Sequence, residues 1–577
     1  MKKYISMIAA GLMMVSCVDT IILPDDKTVD EDFWKSKSDV ALMVNGAYKD
    51  MLSDAVITRL IVWNGLRSDE LLPTGRETGR LMEDLRDINL ANTQPTNQFV
   101  TWGNFYTVIN DCNIVLERAG AVMEEDPSYA QGDYLADRSQ MLALRALCYF
   151  YLVRNFRDVP YITQAYMTSS QDRNVPQTAP DVVLAGCIKD LQEAEKNAIA
   201  ANAYNDWRRV GYFTRDAIQA LLADIYLWRG SVTHSMADYE QCVYYCDKVI
   251  ESKKNQHVRG RDEVVEQEYP LAQGRNAFYQ MFILQNAEES IFELQFNGNP
   301  NSSNALCQYY YRINSRSNRP YLYAADIFKY GNAVYNEKVV ADWRGLMDTF
   351  SDEQQTQDGI EATSVRKFVS NNIGYNPQTT SASPEQLAYT RANDYYMQNY
   401  MVYRLTDVML MKAEALMAMA ADDEDVEHLR PAFNLVQAVN TRSLENESDS
   451  LLWNTYSGDG ACGKMESLIL NERLRELAFE GKRWYDLLRY NYRHVEGVDY
   501  TTTLADQNER GVALIENYME MRTLATRKLK THANAVISKV NTEARLYLPV
   551  GEEDLKVCPV LKQMPTYSSD ADYSKDY

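Results

Sequence analysis

One stretch late in the chain narrows the fold more than any other: Leu468 to Tyr490, which reads LILNERLRELAFEGKRWYDLLRY. Leu470, Leu474, Leu477, Gly481, Trp484 and Leu488 recur at steps of three and four, so they share one face of a helix that can be buried along a groove. The other faces are charged. Glu472 stands three residues before Arg475, and Asp486 three before Arg489, spacings at which helix side chains meet. Gly481 is a poor helix former, so the pattern predicts one long helix with a weak joint there, or two abutting helices.

Other segments carry the same period. Asp32 to Leu52 places Phe33, Val40, Val44 and Ala47 on one side, and Trp102 to Glu117, Met141 to Phe156 and Asp181 to Asn197 follow suit. Thr214 to Trp228 and Ala237 to Glu251 together span about the 34-residue period of a tetratricopeptide unit, with Ala217, Ala220 and Ala223 small enough for close helix contact. A helix pair of that kind cannot bury its apolar stripe alone. Stacked pairs are therefore expected, Tyr403 to Met419 and Pro431 to Arg442 forming another. The fold class this predicts is mainly α: a tetratricopeptide-like helical repeat scaffold with long irregular loops and minor β in an inserted region. Trp63 to Gln98 has no sustained period and reads as one such loop. Lys253 to Gln398 is the other, and within it only Glu289 to Phe296 alternates like a strand.

Charge and residue usage limit the function. Against 59 basic residues stand 81 acidic ones, a net charge of -22 that repels phosphate backbones, which excludes nucleic acid as a partner. The chain has 40 Tyr against 15 Phe and 8 Trp, and tyrosine combines a flat apolar face with a hydroxyl. Cys112, Cys148, Cys187, Cys242, Cys246, Cys307, Cys462 and Cys558 are scattered through apolar helical patterns without a C-x-x-C pair, so buried free thiols are expected. Cys242 and Cys246 lie four apart on a helix, but no neighbouring His completes a zinc set. Neither a G-x-S-x-G nucleophile, a Gly-rich phosphate loop nor a metal constellation occurs, which favours binding over catalysis. A glycosidase-like carboxylate pair stays open at this point, because distance in space sets such a pair and chain spacing does not.

The identities within Leu468 to Tyr490 add to the period. Glu472, Arg473, Glu476, Leu477, Glu480, Gly481, Arg483, Asp486, Leu487 and Arg489 resemble the E-R-x-x-E-L-x-x-E-G-x-R-x-x-D-L-x-R signature of the SusD/RagB family of outer-membrane nutrient-binding lipoproteins. Trp102, Tyr106, Ile109 and Asn113 resemble a second family helix. Arg145-Ala146, Tyr149, Leu152, Phe156 and Asp158 to Pro160 resemble a third, with Arg157 where the family has Gly; that turn is expected to differ, since Arg resists positive φ. Arg404, Asp407, Val408, Leu410, Ala413, Glu414 and Ala415 resemble a fourth, and Leu548-Pro549 through Pro565 the family tail. The acidic residues of the central signature are expected to be ion pairs that tie helices together. At the start, Lys2 and Lys3 precede a short apolar run ending at Ser16-Cys17, which resembles a lipoprotein signal peptide with Cys17 as the lipidated residue.

The resemblance implies a domain plan and a role. Residues 1–17 are a signal peptide, 18–31 a tether, and 32–577 one body, its scaffold at about 32–66, 102–252 and 399–565 and its variable loops at about 67–101 and 253–398. The implied role is non-enzymatic capture of an oligosaccharide at the outer membrane's cell surface, with delivery to a TonB-dependent SusC-like barrel. A RagB-like peptide-uptake role is the alternative, and a helical protein-interaction scaffold or a secreted hydrolase stand behind it. Ligand contacts are expected from Asp69, Arg76, Arg80 and Asn97 in the first loop and from Tyr309, Tyr310, Tyr311, Tyr321, Tyr323 and Trp343 in the second, because rings pack on sugar C-H faces while amides and charges bind hydroxyls. No cofactor is expected, although the Asp and Asn clusters of the central loops leave a structural calcium ion open.

Overall fold

A computed structural model describes residues 33–74, 78–259, 268–272, 274–296, 304–310, 320–325, short stretches between 332 and 390, and then 397–507, 528–529, 532–540 and 542–567. Cys17, Arg76 and Tyr311 lie outside them.

The body is mainly α. Its principal helices are α1 (Lys37–Met51), α2 (Asp54–Ile61), α3 (Arg80–Asn89), α4 (Gly103–Glu125), α5 (Gln131–Phe156), α6 (Pro180–Asn197), α7 (Arg215–Thr233), α8 (Met236–Arg259), α9 (Ala305–Tyr310), α10 (Leu405–Met419), α11 (Val426–Thr441), α12 (Ala461–Glu476) and α13 (Arg483–Arg493). Local chemistry fixes several ends. Ser36 starts α1 through a capping box in which its own N-H donates to Asp39 at 2.8 Å. Asp425 caps α11 by accepting from the His428 N-H at 3.1 Å, so this helix begins before Pro431 and carries that proline inside it. α4 packs on α5, α5 on α6, α7 on α8, α8 on α10 and α10 on α11, giving a stack of helical hairpins. One continuous core runs through it, with Ala217, Ala220 and Ala223 fully buried at the close contact of α7.

The Leu468 to Tyr490 stretch resolves into two helices, α12 and α13, joined by a tight turn. Phe479 and Gly481 both take positive φ, 64° and 71°. A Cβ at position 481 would collide with Tyr400 Oη and come within 3.2 Å of Asn64 Nδ2, so Gly is required by space as well as by conformation. Arg157 corrects an expectation in the opposite sense: it accepts φ 62° at the end of α5. Its guanidinium is fully buried, donating to Glu543 at 2.8 Å and Asp158 at 2.7 Å, and these anchors hold a backbone that costs about 1–3 kcal/mol.

The strands are β1 (Leu71–Pro73), β2 (Ser290–Leu294), β3 (Leu322–Ala324), β4 (Thr349–Gln355), β5 (Glu361–Val365) and β6 (Tyr400–Arg404), with three further two-stranded pairings. β1, β3, β5 and β4 form one sheet in that order, and β6 pairs antiparallel with β2. The stretch from Trp63 to Gln98 is thus not one irregular loop. It holds β1 and the ten-residue helix α3, whose Met82, Leu85 and Ile88 face the core.

Candidate functional site

The site is positioned by a lattice of buried charges around the signature turn. Glu476 receives Arg404, Arg442 and Arg344, the last at 3.0 Å. Arg404 also grips Glu480 with two bonds of 2.8 and 2.9 Å, and Lys367 reaches the same carboxylate at 2.7 Å. Deeper in the stack, Glu414 pairs with Arg489 at 2.8 Å and Arg493 at 2.5 Å, while Arg473 bridges Asp407 at 3.0 Å and Asp486 at 2.9 Å. All these carboxylates are at most 3% exposed, so the signature's charges are interior ties between helices, as expected of its acidic residues. Burial alone would raise the pKa of Glu476. The surrounding guanidiniums win, and Arg442, Arg404 and Arg344 hold Glu476 well below the usual carboxylate range.

The lattice reaches the first loop through Asp69 and Glu70. Asp69 accepts two bonds from Arg483, at 2.9 and 3.1 Å, and Glu70 accepts the Phe479 N-H at 3.1 Å. Asp69 is 1% exposed, which removes it from the ligand contacts expected of it: its oxygens are committed to a buried arginine. Burial pushes the Glu70 carboxyl up to about 8, outweighing the Phe479 N-H bond that favours the charged form.

Immediately after this anchor, β1 meets β3 with Leu71 opposite Ala324 and Pro73 opposite Leu322. The pairing extends at both ends, the Ala325 N-H donating to Glu70 O at 2.7 Å and the Thr74 N-H to Tyr321 O at 3.0 Å. Backbone pairing therefore joins the two stretches that sequence reasoning nominated. On this edge Tyr321 is half-buried, its ring set at 70° and 5.4 Å from that of Tyr309. In α3 the exposed Arg80 donates to Thr96 O at 2.8 Å and lies 3.8 Å from Asp84. Asp84 in turn accepts from the exposed Gln98 amide at 2.9 Å. Beneath them Arg59 of α2 pins the 98–101 turn by donating to Thr101 O at 2.6 Å and Gln98 O at 3.2 Å. Tyr321, Arg80 and Gln98 are thus a ring, a guanidinium and a primary amide with access to solvent, groups suited to hydroxyl-rich ligands.

The remaining expected contacts fall elsewhere. Tyr309, Tyr310 and Tyr323 are 4%, 1% and 2% exposed. Tyr309 backs Tyr321, Tyr310 stacks on Phe368 at 6.1 Å, and Tyr323 sits inside β3, so these rings are packing and do not form a platform. Asn97 is buried as the cap of a short turn, accepting from the Phe99 N-H at 3.0 Å and donating to Asp84 O at 2.9 Å. Trp343 is half-buried against α11, its N-H donating to Ser443 O at 3.0 Å, and it lines a cavity of about 30 Å³ with Phe278, Phe282 and Arg442. Sequence reasoning missed Arg59, whose place in an amphipathic helix gives no sign of the turn it holds. Among the described residues no three His, Cys, Asp or Glu side chains cluster so as to hold a metal ion. The eight described cysteines are free thiols, all buried but Cys462, which is half-buried.

Comparison with known proteins agrees with this fold. Residues 308–567 match the family model described as the SusD family, and residues 25–227 match one described as starch-binding, associating with outer membrane. SusD-like protein P38 of Formosa agariphila is 24% identical over 520 residues, covering 85% of this chain and 92% of the relative. SusD-like protein P2 of the same organism is 25% identical over 520 residues, covering 85% and 91%. A SusD homolog from Bacteroides thetaiotaomicron has a TM-score of 0.65 at 18% identity, covering 92% of this chain and 98% of that one. A laminarin-binding SusD-like protein has a TM-score of 0.59 at 19% identity, covering 92% and 100%, and both structures share the fold.

Proposed function

From the premise that the chain belongs to the SusD family, we propose that it binds a glycan at the cell surface and passes it to a SusC-like outer-membrane barrel. The family is one of binding proteins associated with the outer membrane. The observation that carries the reading is the β1–β3 pairing, which brings Tyr321 onto a rigid helical frame on the edge that leads to Arg80 and Gln98. A half-exposed ring backed edge-on by Tyr309 stacks on the C-H face of a sugar, and the arginine and amide take its hydroxyls. In this reading Cys17 carries the lipid that holds the protein to the membrane, and no helix of the described residues is long and apolar enough to cross one.

The test is a binding screen of the protein without residues 1–17 against a polysaccharide and peptide panel, followed by Tyr321→Ala and Arg80→Ala. A glycan hit weakened by both substitutions supports the reading. A glycan hit indifferent to both moves the site elsewhere, and a hit among peptides alone transfers the function to peptide uptake, for which the exposed Arg80 would serve a terminal carboxylate.

A further inference from the structure

The connection between α6 and α7, residues 198–214, holds an aromatic arrangement far in sequence from the β1–β3 edge. Trp207 is 46% exposed and is the one exposed large apolar side chain of residues 201–212. An indole free to swing would be unremarkable, but this one is fixed. It meets Tyr212 edge-on at 5.3 Å and 80°, and Tyr212 lies flat on Tyr48 of α1 at 5.1 Å and 22°. Tyr212 donates its hydroxyl to Asn45 at 2.6 Å, and the Phe213 N-H donates to Tyr48 Oη at 2.9 Å, so both supporting rings are held at their far ends as well. From below, the indole rests against Gly211, where a Cβ would stand 2.7 Å from Trp207 Cε3.

The rim of the indole is polar. Asp206 and Arg208 flank it in sequence and form an exposed fork, with Arg208 donating to the carboxylate at 2.8, 3.0 and 3.1 Å. That pairing pre-orients both groups while leaving carboxylate lone pairs and guanidinium N-H groups open to solvent. The Arg208 guanidinium also lies 5.2 Å from the Tyr204 ring centre, and Asn45, Asn202 and Asn205 are exposed nearby in the same segments. Protein partners cover roughly 800 Å² per side around an apolar centre, and a single ring rimmed by amides and a charge fork does not offer one. One immobilised ring with hydroxyl-binding groups at its edge does match a pyranose.

We propose that Trp207, with Asn205, Asp206 and Arg208 around it, is a second carbohydrate-binding surface that takes the C-H face of one or two units of a neutral oligosaccharide. The class of ligand rests on the glycan-binding reading above; the place does not. A chain that holds one glycan at two separate points gains effective concentration at the second, so even a weak surface extends the residence of a long polymer.

The experiment labels the full chain in detergent with 5-fluorotryptophan and follows fluorine resonances during titration with laminarin-derived and starch-derived hexasaccharides. The resonance missing from Trp207→Phe is that of Trp207. Its saturable shift in the wild type, kept in the Tyr321→Ala/Arg80→Ala double variant and at least fivefold weaker in apparent affinity in Arg208→Ala, is the expected result. If the Trp207 resonance stays still while sugar binding elsewhere persists, the second surface is overturned and the glycan reading stands. A shift that Arg208→Ala leaves unchanged overturns the polar rim and with it the assignment. Absence of any sugar binding overturns both readings together.

Discussion

Arg483 holds Asp69 through two bonds of 2.9 and 3.1 Å, with both side chains 1% exposed and the two residues 414 positions apart in the chain. The pair fastens the segment that leads into β1 to the first turn of α13, so the placement of β1 depends on the signature that closes the scaffold. Breaking a buried pair from one side leaves the other charge without compensation, which costs about 3–5 kcal/mol.

Asp69→Ala is therefore expected to lower the unfolding free energy by about 3–5 kcal/mol. Asp69→Ala/Arg483→Met, which removes both charges, is expected to recover a large part of that loss. Urea unfolding of the wild type, Asp69→Ala, Arg483→Met and the double variant checks this; a strictly additive double variant would show that the two groups do not act as a pair.

Glu70 gives a pH dependence of opposite sign to that of Glu476. Burial raises its folded pKa to about 8 from an ordinary 4.5, so the folded chain binds the proton more tightly than the unfolded chain. The stability this contributes is complete below pH 4.5 and is lost as pH rises toward about 8. Glu70→Gln, which mimics the protonated acid, is expected to flatten the fall in stability between those values. Glu476, held low by its three arginines after burial has acted against it, contributes stability present above pH 4.5 and lost on acidification, so the acid limb should survive the Glu70 substitution unchanged. Unfolding midpoints from pH 3 to pH 9 distinguish the two limbs, where pH 3 and 9 are about one to two units outside the ordinary carboxylate and raised values.

Two glycines of the signature region are expected to respond in opposite directions to the same change. Gly481→Ala forces a positive φ on a residue with a Cβ that strikes Tyr400 and Asn64, costing at least about 2 kcal/mol. Gly463→Ala, inside α12 with open space around it, is expected to stabilise by about 0.5–1 kcal/mol. Thermal unfolding of both variants is the measurement, and equal shifts would contradict the geometry of the turn.

For ligand binding, Tyr321→Ala and Arg80→Ala are each expected to weaken a glycan hit about tenfold, equivalent to about 1.4 kcal/mol. Thr101→Val should act differently. It removes a hydroxyl that Arg59 uses to hold the 98–101 turn, so it is expected to loosen the rim and weaken binding by a smaller factor. Calorimetric titration of the three variants orders these effects.

Much of the frame was legible because helices announce themselves by period. The hairpin of α7 and α8 follows from Ala217, Ala220 and Ala223, and the joint at Gly481 from one residue with no side chain. α3 was missed although Met82, Leu85 and Ile88 carry the period, because its ten residues sit among Gly, Asn and Thr, which read as loop. β1, three residues long, is too short for alternation to show. The site was harder for a different reason. A tyrosine has the same identity whether its ring lines a core or faces water, so Tyr309, Tyr310 and Tyr323 looked like Tyr321 until packing separated them. Asp69 looked like a sugar ligand because its arginine lies hundreds of residues away. Trp207, in the polar run Asn205-Asp206-Trp207-Arg208-Arg209, offered a lone aromatic among solvent-facing neighbours, and nothing in that run discloses the two tyrosines that hold it.

The Arg157 turn has a consequence for how the protein comes into being. Its strained backbone is held by Glu543, a residue the ribosome adds 386 positions later. Until that carboxylate arrives, the Arg157 guanidinium has the adjacent Asp158 but lacks the second carboxylate of its pair, so the positive φ is only partly compensated. The clasp on this turn thus comes from a segment made 386 positions later, and the turn reaches its full hold only once that segment has folded back on it.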